Sequence, residues 1–238
     1  MKHVVQFSNG AGSAWVAWWV LQNMPKEDVI LLNHDPGAEH ADSKRFQEEV
    51  SKFLDHPITE KSCDKTLWEL IEEQHCLPSS FIPWCTRMLK IEPGEEFLQS
   101  LDDDFIMYNG FGFNEWRRVQ KATARTEHSG RKLRCPLFEN KMTGDDAKKI
   151  IREEWKICLP EPYKFLSHNN CIPCFKAGKG HFIKVAKHYP AEFERACQAE
   201  EATGFTIFRD CTLRELEKQK VDHNQLELFD TVPCMCAN

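Results

Sequence analysis

The sequence predicts an α/β protein built on a doubly wound, mostly parallel sheet. Short β-rich or apolar runs alternate with helical patterns through the first half of the 238-residue chain. This order is typical of parallel sheets whose strands are joined by helical crossovers. One run, DVILLNH at 28–34, is apolar almost throughout, as expected for a strand that is covered on both faces. We therefore expect an α/β domain over 1–160 and a helical, cysteine-containing region over 161–238, packed on the first.

The expected elements of the α/β domain follow from the period of the apolar residues. The helix that follows the first strand should end before Pro25, because proline disfavours helical backbone in the residue before it. In chain order we expect a strand at 3–7, a helix at 14–24, a strand at 28–34, a helix at 41–54, a strand near 57–60, a helix at 66–75, a strand within 104–111 and a helix at 114–127.

The second half of the chain reads as helices and turns. Thr143 and Asp146 match a capping box ahead of AKKIIREEWK, which predicts a helix that starts after Thr143. Two short helices separated by Pro190 and a last helix near 212–220 should follow. The tail, FDTVPCMCAN, shows no periodicity.

Composition and charge narrow the class of function. The net charge of −6 argues against a general nucleic-acid binder, although it leaves room for a local basic groove. No uncharged apolar stretch of about 18 residues is present, so we expect no membrane span. The N-terminal MKHVVQF lacks the layout of a signal peptide, and we expect a cytoplasmic protein.

Eleven cysteines are many for a chain of this length. In a reducing compartment, clustered cysteines indicate a metal, an iron–sulfur cluster or redox chemistry rather than a disulfide framework. The isolated cysteines are interpreted as small buried apolar residues. They are Cys63, Cys76, Cys135, Cys158, Cys197 and Cys211.

The segment SNGAGS at 8–13 joins the first expected strand to the first expected helix. Gly10 and Gly12 remove side chains that would block an anion, and two serine hydroxyls can donate hydrogen bonds to it. Backbone amides and the helix N-terminus add positive partial charge there. The pattern matches neither the Walker nor the dinucleotide-binding fingerprint, and a tight turn without a ligand is the alternative. Its place after the first parallel strand favours a ligand site.

Six segments occur in an order that is similar to one known family. They are SNGAGS at 8–13, HDPGAEHADSKRF at 34–46, WCTRMLKIEP at 84–93, GFGFNEW at 110–116, CPLFENKMTGDDAKKII at 135–151 and CIPC at 171–174. Together they resemble the phosphoadenosine/adenosine phosphosulfate reductase family. This family belongs to the adenine nucleotide alpha-hydrolase superfamily, which also holds the PP-loop ATP pyrophosphatases. The resemblance covers roughly residues 3 to 204 and implies that superfamily's nucleotide-binding fold.

The resemblance also implies a set of residues for an adenylyl-sulfate or ATP-type small molecule. Arg87 and Lys90 are three residues apart and would share one face of a regular helix. Arginine forks suit phosphate oxygens, and ordinary solvated charges are the alternative for each cation. The implied nucleotide- or phosphate-binding residues are Ser8, Asn9, Gly10, Ala11, Gly12, Ser13, Asp35, Gly37, Arg87, Lys90, Gly110, Arg117 and Arg118. For Asp35 the alternative is a turn or cap residue.

The CIPC segment is the sharpest local signal for a metal. Two thiolates on one turn can bind one metal ion or one cluster iron, so the motif alone leaves zinc, iron–sulfur and a simple thiol pair open. Adenosine phosphosulfate reductases carry a Cys-Cys pair before the R-K-x-x-P segment. Cys85 matches its first member and Thr86 its second. The resemblance thus implies a [4Fe–4S] cluster on Cys85, Cys171 and Cys174, with Cys236 of the tail as a fourth ligand. Zinc and the absence of any metal are the alternatives.

Two departures bear on the reaction. Gly12 takes the place of the aspartate in the ATP pyrophosphatase loop, which favours the reductases. The reductases end in an E-C-G-[IL]-H motif that carries the catalytic cysteine, and this motif is missing here. Cys234 and Cys236 are therefore the candidate nucleophiles, attacking the sulfur of an adenylyl sulfate with a thioredoxin-like reductant. The alternatives are ATP-dependent sulfur transfer to nucleic acid, as in tRNA thiolation or DNA phosphorothioation, and a non-catalytic nucleotide-binding protein.

Overall fold

The computed structural model describes residues 1–101 and 103–218, and its centre is a five-stranded sheet. The strands are β1 Lys2–Gln6, β2 Val29–Asn33, β3 Ile58–Glu60, β4 Phe105–Tyr108 and β5 Lys132–Arg134. Their order across the sheet is β3-β2-β1-β4-β5, and every neighbouring pair is parallel. The predicted α/β class with a parallel sheet is confirmed.

The predicted helices occur in the predicted order, with small shifts at their ends. The helices are α1 Ala11–Asn23, α2 Asp42–Leu54, α3 Leu67–Gln74, α4 Trp84–Thr86, α5 Glu92–Gln99, α6 Trp116–His128, α7 Pro136–Glu139, α8 Gly144–Glu153, α9 Lys179–His188, α10 Pro190–Thr203 and α11 Leu213–Lys218. Three of them, α4, α5 and α7, were not predicted. A π-helical turn, Arg87–Ile91, joins α4 to α5. The predicted capping box is confirmed, because Thr143 Oγ1 accepts from the Asp146 amide and the Asp146 carboxylate accepts from the Thr143 amide.

The sheet is covered on both faces. Val5 and Leu31 pack into a core formed with α1, α2 and α8, whereas Val4 and Leu32 pack on the opposite side against Leu98 of α5. Successive side chains of a strand point to opposite faces, so a strand with both faces covered needs apolar residues throughout. This explains the continuous apolar run that predicted β2.

A second core joins the α/β part to the C-terminal helices. Leu70 and Ile71 of α3 pack in one cluster with Phe182 of α9 and Leu213 of α11. The C-terminal region is therefore held against the sheet domain through α3. None of the helices in the described parts of the chain is long and apolar enough to cross a membrane.

The isolated cysteines differ in their surroundings. Cys135, Cys197 and Cys211 are buried, as expected, and burial raises the pKa of Cys135 to about 12 and that of Cys197 to about 11. Both therefore stay protonated at neutral pH. Cys63 and Cys76 are only partly buried, and Cys158 is exposed because it lies in the connection that follows α8, so the expectation is wrong for these three.

Candidate functional site

The candidate site lies where the strand order reverses. β1 is followed in sequence by β2 on one side of it, while β4 pairs with its other side. In open α/β sheets, ligands bind at such a reversal, beyond the carboxyl ends of the strands. Residues 8–13 follow β1 and Gly110 follows β4 closely, so both segments lie at this edge of the sheet.

Gly12 and Gly110 bring two backbones into close contact. A Cβ atom on Gly12 would lie 2.8 Å from the carbonyl oxygen of Gly110, and one on Gly110 would lie 2.8 Å from the Ser13 amide nitrogen. Real Cβ atoms do not approach backbone atoms so closely. Both positions therefore require glycine so that the N-terminal turn of α1 can pack on the segment after β4. This packing explains the two glycines without a ligand.

The hydroxyls of the loop after β1 are used within the protein. Ser13 Oγ accepts a hydrogen bond from the Ser8 amide at 3.0 Å and donates one to the Gly10 carbonyl at 2.9 Å. The Tyr163 hydroxyl accepts from the Ala11 amide at 3.2 Å and would lie 3.2 Å from a Cβ on Gly10. One of the first amides of α1 is thus already occupied, and the space that the small residues leave is partly filled by a tyrosine.

Asn9 links this loop to two other segments. Its φ of 55° is left-handed, a conformation that asparagine adopts more readily than most residues. Its Nδ2 donates to Glu39 Oε2 at 3.1 Å, and its carbonyl accepts from Asn169 Nδ2 at 2.7 Å. Asn169 Oδ1 in turn accepts from Ser43 Oγ at 3.1 Å. Asn9 Oδ1 is buried and has no hydrogen-bond partner among the described residues, so an acceptor is left at the centre of the network.

Glu39 is the buried carboxylate of the site. Its side chain is 6% exposed and lies 3.6 Å from Lys90 Nζ. Burial raises the pKa of Glu39, while the Lys90 ammonium and the Asn9 hydrogen bond act in the opposite direction. Glu39, Asn169 and Tyr163 were not predicted, because Glu39 lies at an unspecified position of the 34–46 segment and no local motif marks the other two.

The raised pKa of Glu39 predicts a pH-dependent loss of stability. A carboxyl group with a higher pKa in the folded state binds more protons when folded, so stability falls as pH rises from the unfolded value through the folded one. We expect Glu39→Gln to remove this loss. The unfolding free energy of the variant should therefore increase relative to that of the wild type as the pH rises. Urea unfolding across pH 4 to 8 measures it. The control is Glu48→Gln, on the exposed side of α2, and an equal trend in that variant would contradict the assignment to Glu39.

Arg87 and Lys90 make different contacts. Arg87 is 76% exposed and pairs with Glu92 at 2.7 Å, whereas Lys90 is half-buried and pairs with Glu39. The expectation that they share a helix face is wrong, because the turn that contains them is π-helical. In a π-helix, hydrogen bonds join residues five apart, so residues three apart no longer lie on one face. The structure thus brings Lys90, and not Arg87, to the buried carboxylate.

The two arginines of α6 also diverge. Arg118 is half-buried, lies over the Phe111 ring at 4.6 Å and pairs with Glu115. Its Nε is buried without a partner among the described residues. Arg117 is exposed, and its guanidinium lies 5.2 Å from the centre of the Trp116 ring. Arg118 is therefore the cation beside the end of β4.

Asp35 and Gly37 form a turn after β2. Asp35 Oδ1 accepts a hydrogen bond from the Gly37 amide at 2.8 Å. This contact corresponds to the alternative in which Asp35 is a turn residue. Gly37 has a φ of +65°, and a Cβ there would lie 2.6 Å from Thr66 Cγ2. Both residues therefore have a structural reason to be present.

The cysteine loop, residues 171–176, packs against the same region. The Ile172 amide donates to the Ala38 carbonyl at 2.9 Å, and Cys171 pairs with Glu39 in an isolated antiparallel bridge. The Cys174 amide donates to His181 Nε2 at 3.0 Å. The loop that contains two of the candidate metal ligands thus borders the buried carboxylate.

Lys176 connects this loop to the segment that carries Cys85. Its Nζ donates to the Thr86 hydroxyl at 2.6 Å, and Thr86 follows Cys85 directly in the chain. Lys176 is 5% exposed, and no carboxylate of the described residues forms an ion pair with it. An ammonium group buried beside a neutral hydroxyl is costly unless an anion compensates it. Lys176 is therefore a buried positive charge next to the segments that carry Cys85 and Cys174.

The predicted metal ligands are only partly covered by the described residues. Within residues 1–101 and 103–218, no three His, Cys, Asp or Glu side chains are close enough together to hold one metal ion. Cys234 and Cys236, the predicted nucleophiles and fourth ligand, lie outside the described residues. The cluster and its ligands stay predictions.

Comparisons with known proteins add one relative. No family model matches the chain. The chain is 32% identical to an uncharacterized nin region protein, ORF290, of Escherichia phage lambda. The match covers 44% of this chain and 44% of that protein, so it spans less than half the length of the relative.

Proposed function

We propose that this chain is a sulfonucleotide-reductase-like enzyme of the phosphoadenosine/adenosine phosphosulfate reductase family. The observation that carries the proposal is the convergence of four separate segments at Glu39. They are the loop after β1, the segment after β2, the π-helical turn with Lys90, and the cysteine loop. In the family that the sequence resembles, the segments that match the first three bind the sulfonucleotide and the cysteine segment binds the cluster.

The binding roles follow from the charges around this point. Lys90 and Arg118 are the cations of this region, paired with Glu39 and Glu115, and the N-terminus of α1 adds the partial charge of its amides. Asn9 orients Glu39 through its amide and leaves Oδ1 as an acceptor for a ligand hydroxyl or amine. An adenylyl sulfate, which combines anionic oxygens with hydroxyl and amine donors, suits this combination.

For the metal, the proposal places a [4Fe–4S] cluster on Cys85, Cys171, Cys174 and Cys236. Such a cluster supplies redox-active iron and a negatively charged thiolate shell. Lys176 would provide the compensating positive charge from the segment next to Cys174. Cys85 and Cys171 both pack against the second core, so this core holds the two segments in one part of the protein.

Lys176→Met tests the compensating role of the buried ammonium. In metal-free protein, we expect the unfolding free energy to stay equal or to rise by about 1 kcal/mol, because the variant removes a buried charge that has no ion pair within the described residues. In protein reconstituted anaerobically with iron and sulfide, we expect less iron per chain than in the wild type. Urea unfolding and iron analysis measure the two effects. Lys187→Met, at an exposed position of α9, is the control. A clear loss of stability in the metal-free variant would contradict the assignment.

The reaction proposed for the site starts from a thiolate of the tail, which is Cys234 if Cys236 binds the cluster and either Cys234 or Cys236 if it does not. The thiolate attacks the sulfur of the adenylyl sulfate, the sulfur–oxygen bond to the phosphate breaks, and the adenosine phosphate leaves. This forms a thiosulfonate on the cysteine. A thioredoxin-like dithiol then attacks the cysteine sulfur, releases sulfite and forms a mixed disulfide, which its second thiol resolves. The dithiol supplies both electrons.

The test is the release of sulfite from adenylyl sulfate, with and without the 3′-phosphate, by reduced thioredoxin. We expect activity in the wild type and a loss of at least about 100-fold in either Cys234→Ser or Cys236→Ser. Release of pyrophosphate from ATP that depends on a nucleic acid would favour sulfur transfer instead. Nucleotide binding without either product would identify a non-catalytic protein.

A further inference from the structure

Helix α6 presents a basic face to solvent. Arg117, Lys121, Arg125 and His128 are all exposed, and we call them the α6 basic face. At 3.6 residues per turn, they fall within about 80° of arc around the helix. Glu127, the exposed acid of α6, falls outside this arc. The chain as a whole carries a charge of −6, so this face contrasts with the rest of the surface.

The cations of this face are not neutralised by neighbours. Arg117, Lys121 and Arg125 form no ion pair with any carboxylate in the described parts of the chain. The arginines just outside the face behave differently: Arg118 pairs with Glu115, and Arg131 pairs with Glu95. Within the described residues, the charges of the α6 basic face are therefore available to a binding partner.

Two exposed aromatic rings lie at the start of the same helix. Phe113 is 46% exposed and Trp116 is 53% exposed. The Arg117 guanidinium covers one side of Trp116, and Phe113 contacts Phe138 with the ring centres 5.5 Å apart. Both rings follow Gly110 and Phe111 in the chain, so they lie near the carboxyl end of β4 and the candidate site. A charged surface therefore begins beside stacking surfaces at the mouth of the site.

We propose that this surface binds single-stranded nucleic acid. Phosphates would follow the α6 basic face, whose cations recur about every 6 Å along the helix axis. Unpaired bases would stack on Phe113 and Trp116, which paired bases within a duplex cannot do. The combination of a cationic track with exposed rings is the general means by which proteins hold single strands. The inference goes beyond the proposed function and does not depend on it.

Fluorescence anisotropy with a labelled oligothymidylate and an oligouridylate of about 16 nucleotides tests the proposal. We expect the wild-type protein to bind at low salt. The triple variant Arg117→Ala, Lys121→Ala and Arg125→Ala should bind at least about tenfold more weakly, and the slope of log K against log salt should fall by about 2. The double variant Phe113→Ala and Trp116→Ala should also lose about tenfold in affinity, with its salt slope unchanged.

A matched triple variant controls for net charge. Lys26→Ala, Lys52→Ala and Lys187→Ala remove the same charge from exposed lysines on three other elements, and should bind as the wild type does. Equal weakening in this control would overturn the proposal, and so would wild-type protein that does not bind either oligonucleotide at low salt. Binding only to vesicles with anionic lipid would also overturn it, since the face would then serve a membrane surface.

Discussion

Protein with Cys171→Ser, prepared without oxygen, is expected to contain almost no iron or sulfide. A serine hydroxyl is a poor ligand for cluster iron, and losing one ligand of a four-thiolate site destabilises the whole cluster. The wild-type chain should contain about four iron atoms and show the brown colour of such a cluster. Iron and sulfide analysis together with visible absorption measures the loss. Cys171 belongs to the loop that borders Glu39, so the same variant should also alter nucleotide affinity.

Cys158→Ser is the matched control for this experiment. Cys158 is exposed in the connection after α8, so its replacement should leave the iron content unchanged. Colourless, iron-free wild-type protein would refute the cluster, and one equivalent of zinc in its place would favour the alternative metal. Equal iron loss from both variants would show that the effect does not arise from ligation.

Gly110→Ala should lower the unfolding free energy by about 3 kcal/mol and abolish ligand binding at the candidate site. The new methyl group would lie 2.8 Å from backbone atoms of Gly12 and Ser13, neither of which can turn away as a side chain could. The chain must therefore separate α1 from the segment after β4, and overpacking of this kind costs about 1 to 3 kcal/mol. Because the shift occurs where the strand order reverses, it also displaces the amides at the start of α1. Urea unfolding and isothermal titration with adenylyl sulfate measure the two effects.

Gly144→Ala provides the control within the same chain. Gly144 is the first residue of α8, and nothing lies within 4 Å of the position that its Cβ would take. Alanine favours helix formation, so this variant should be as stable as the wild type or slightly more stable. Comparable losses in both glycine variants would contradict the close contact between Gly12 and Gly110.

The sequence predicted those parts of the fold that have a local signal. The run at 28–34 became β2 because both of its faces are buried, and Thr143 begins α8 because its capping box is complete. β5 was not among the predicted elements, since Lys132–Arg134 contains a single apolar residue and two charges. α1 begins three residues earlier than predicted, because the small residues of the loop themselves form its first turn.

The candidate site was less predictable, since contacts between distant residues determine it. Asn169 and Asn9 are 160 positions apart, and Tyr163 and Ala11 are 152 apart. No local pattern marks Asn169, Tyr163 or Lys176 as parts of a site. Lys90 was selected from its motif and does reach the buried carboxylate, whereas Arg87 does not, because the local helix is π-helical.

The hydroxyl of Tyr163 would compete with a bound anion for the amide of Ala11. An anion that binds the Ala11 amide must first displace this hydroxyl, which belongs to the turn Glu161–Lys164 ahead of the cysteine loop. If the proposed ligand and cluster both bind, their linkage is reciprocal: the factor by which the ligand changes the affinity for the cluster equals the factor by which the cluster changes the affinity for the ligand. Tyr163→Phe removes the competing group, so it should tighten the ligand and weaken that linkage together.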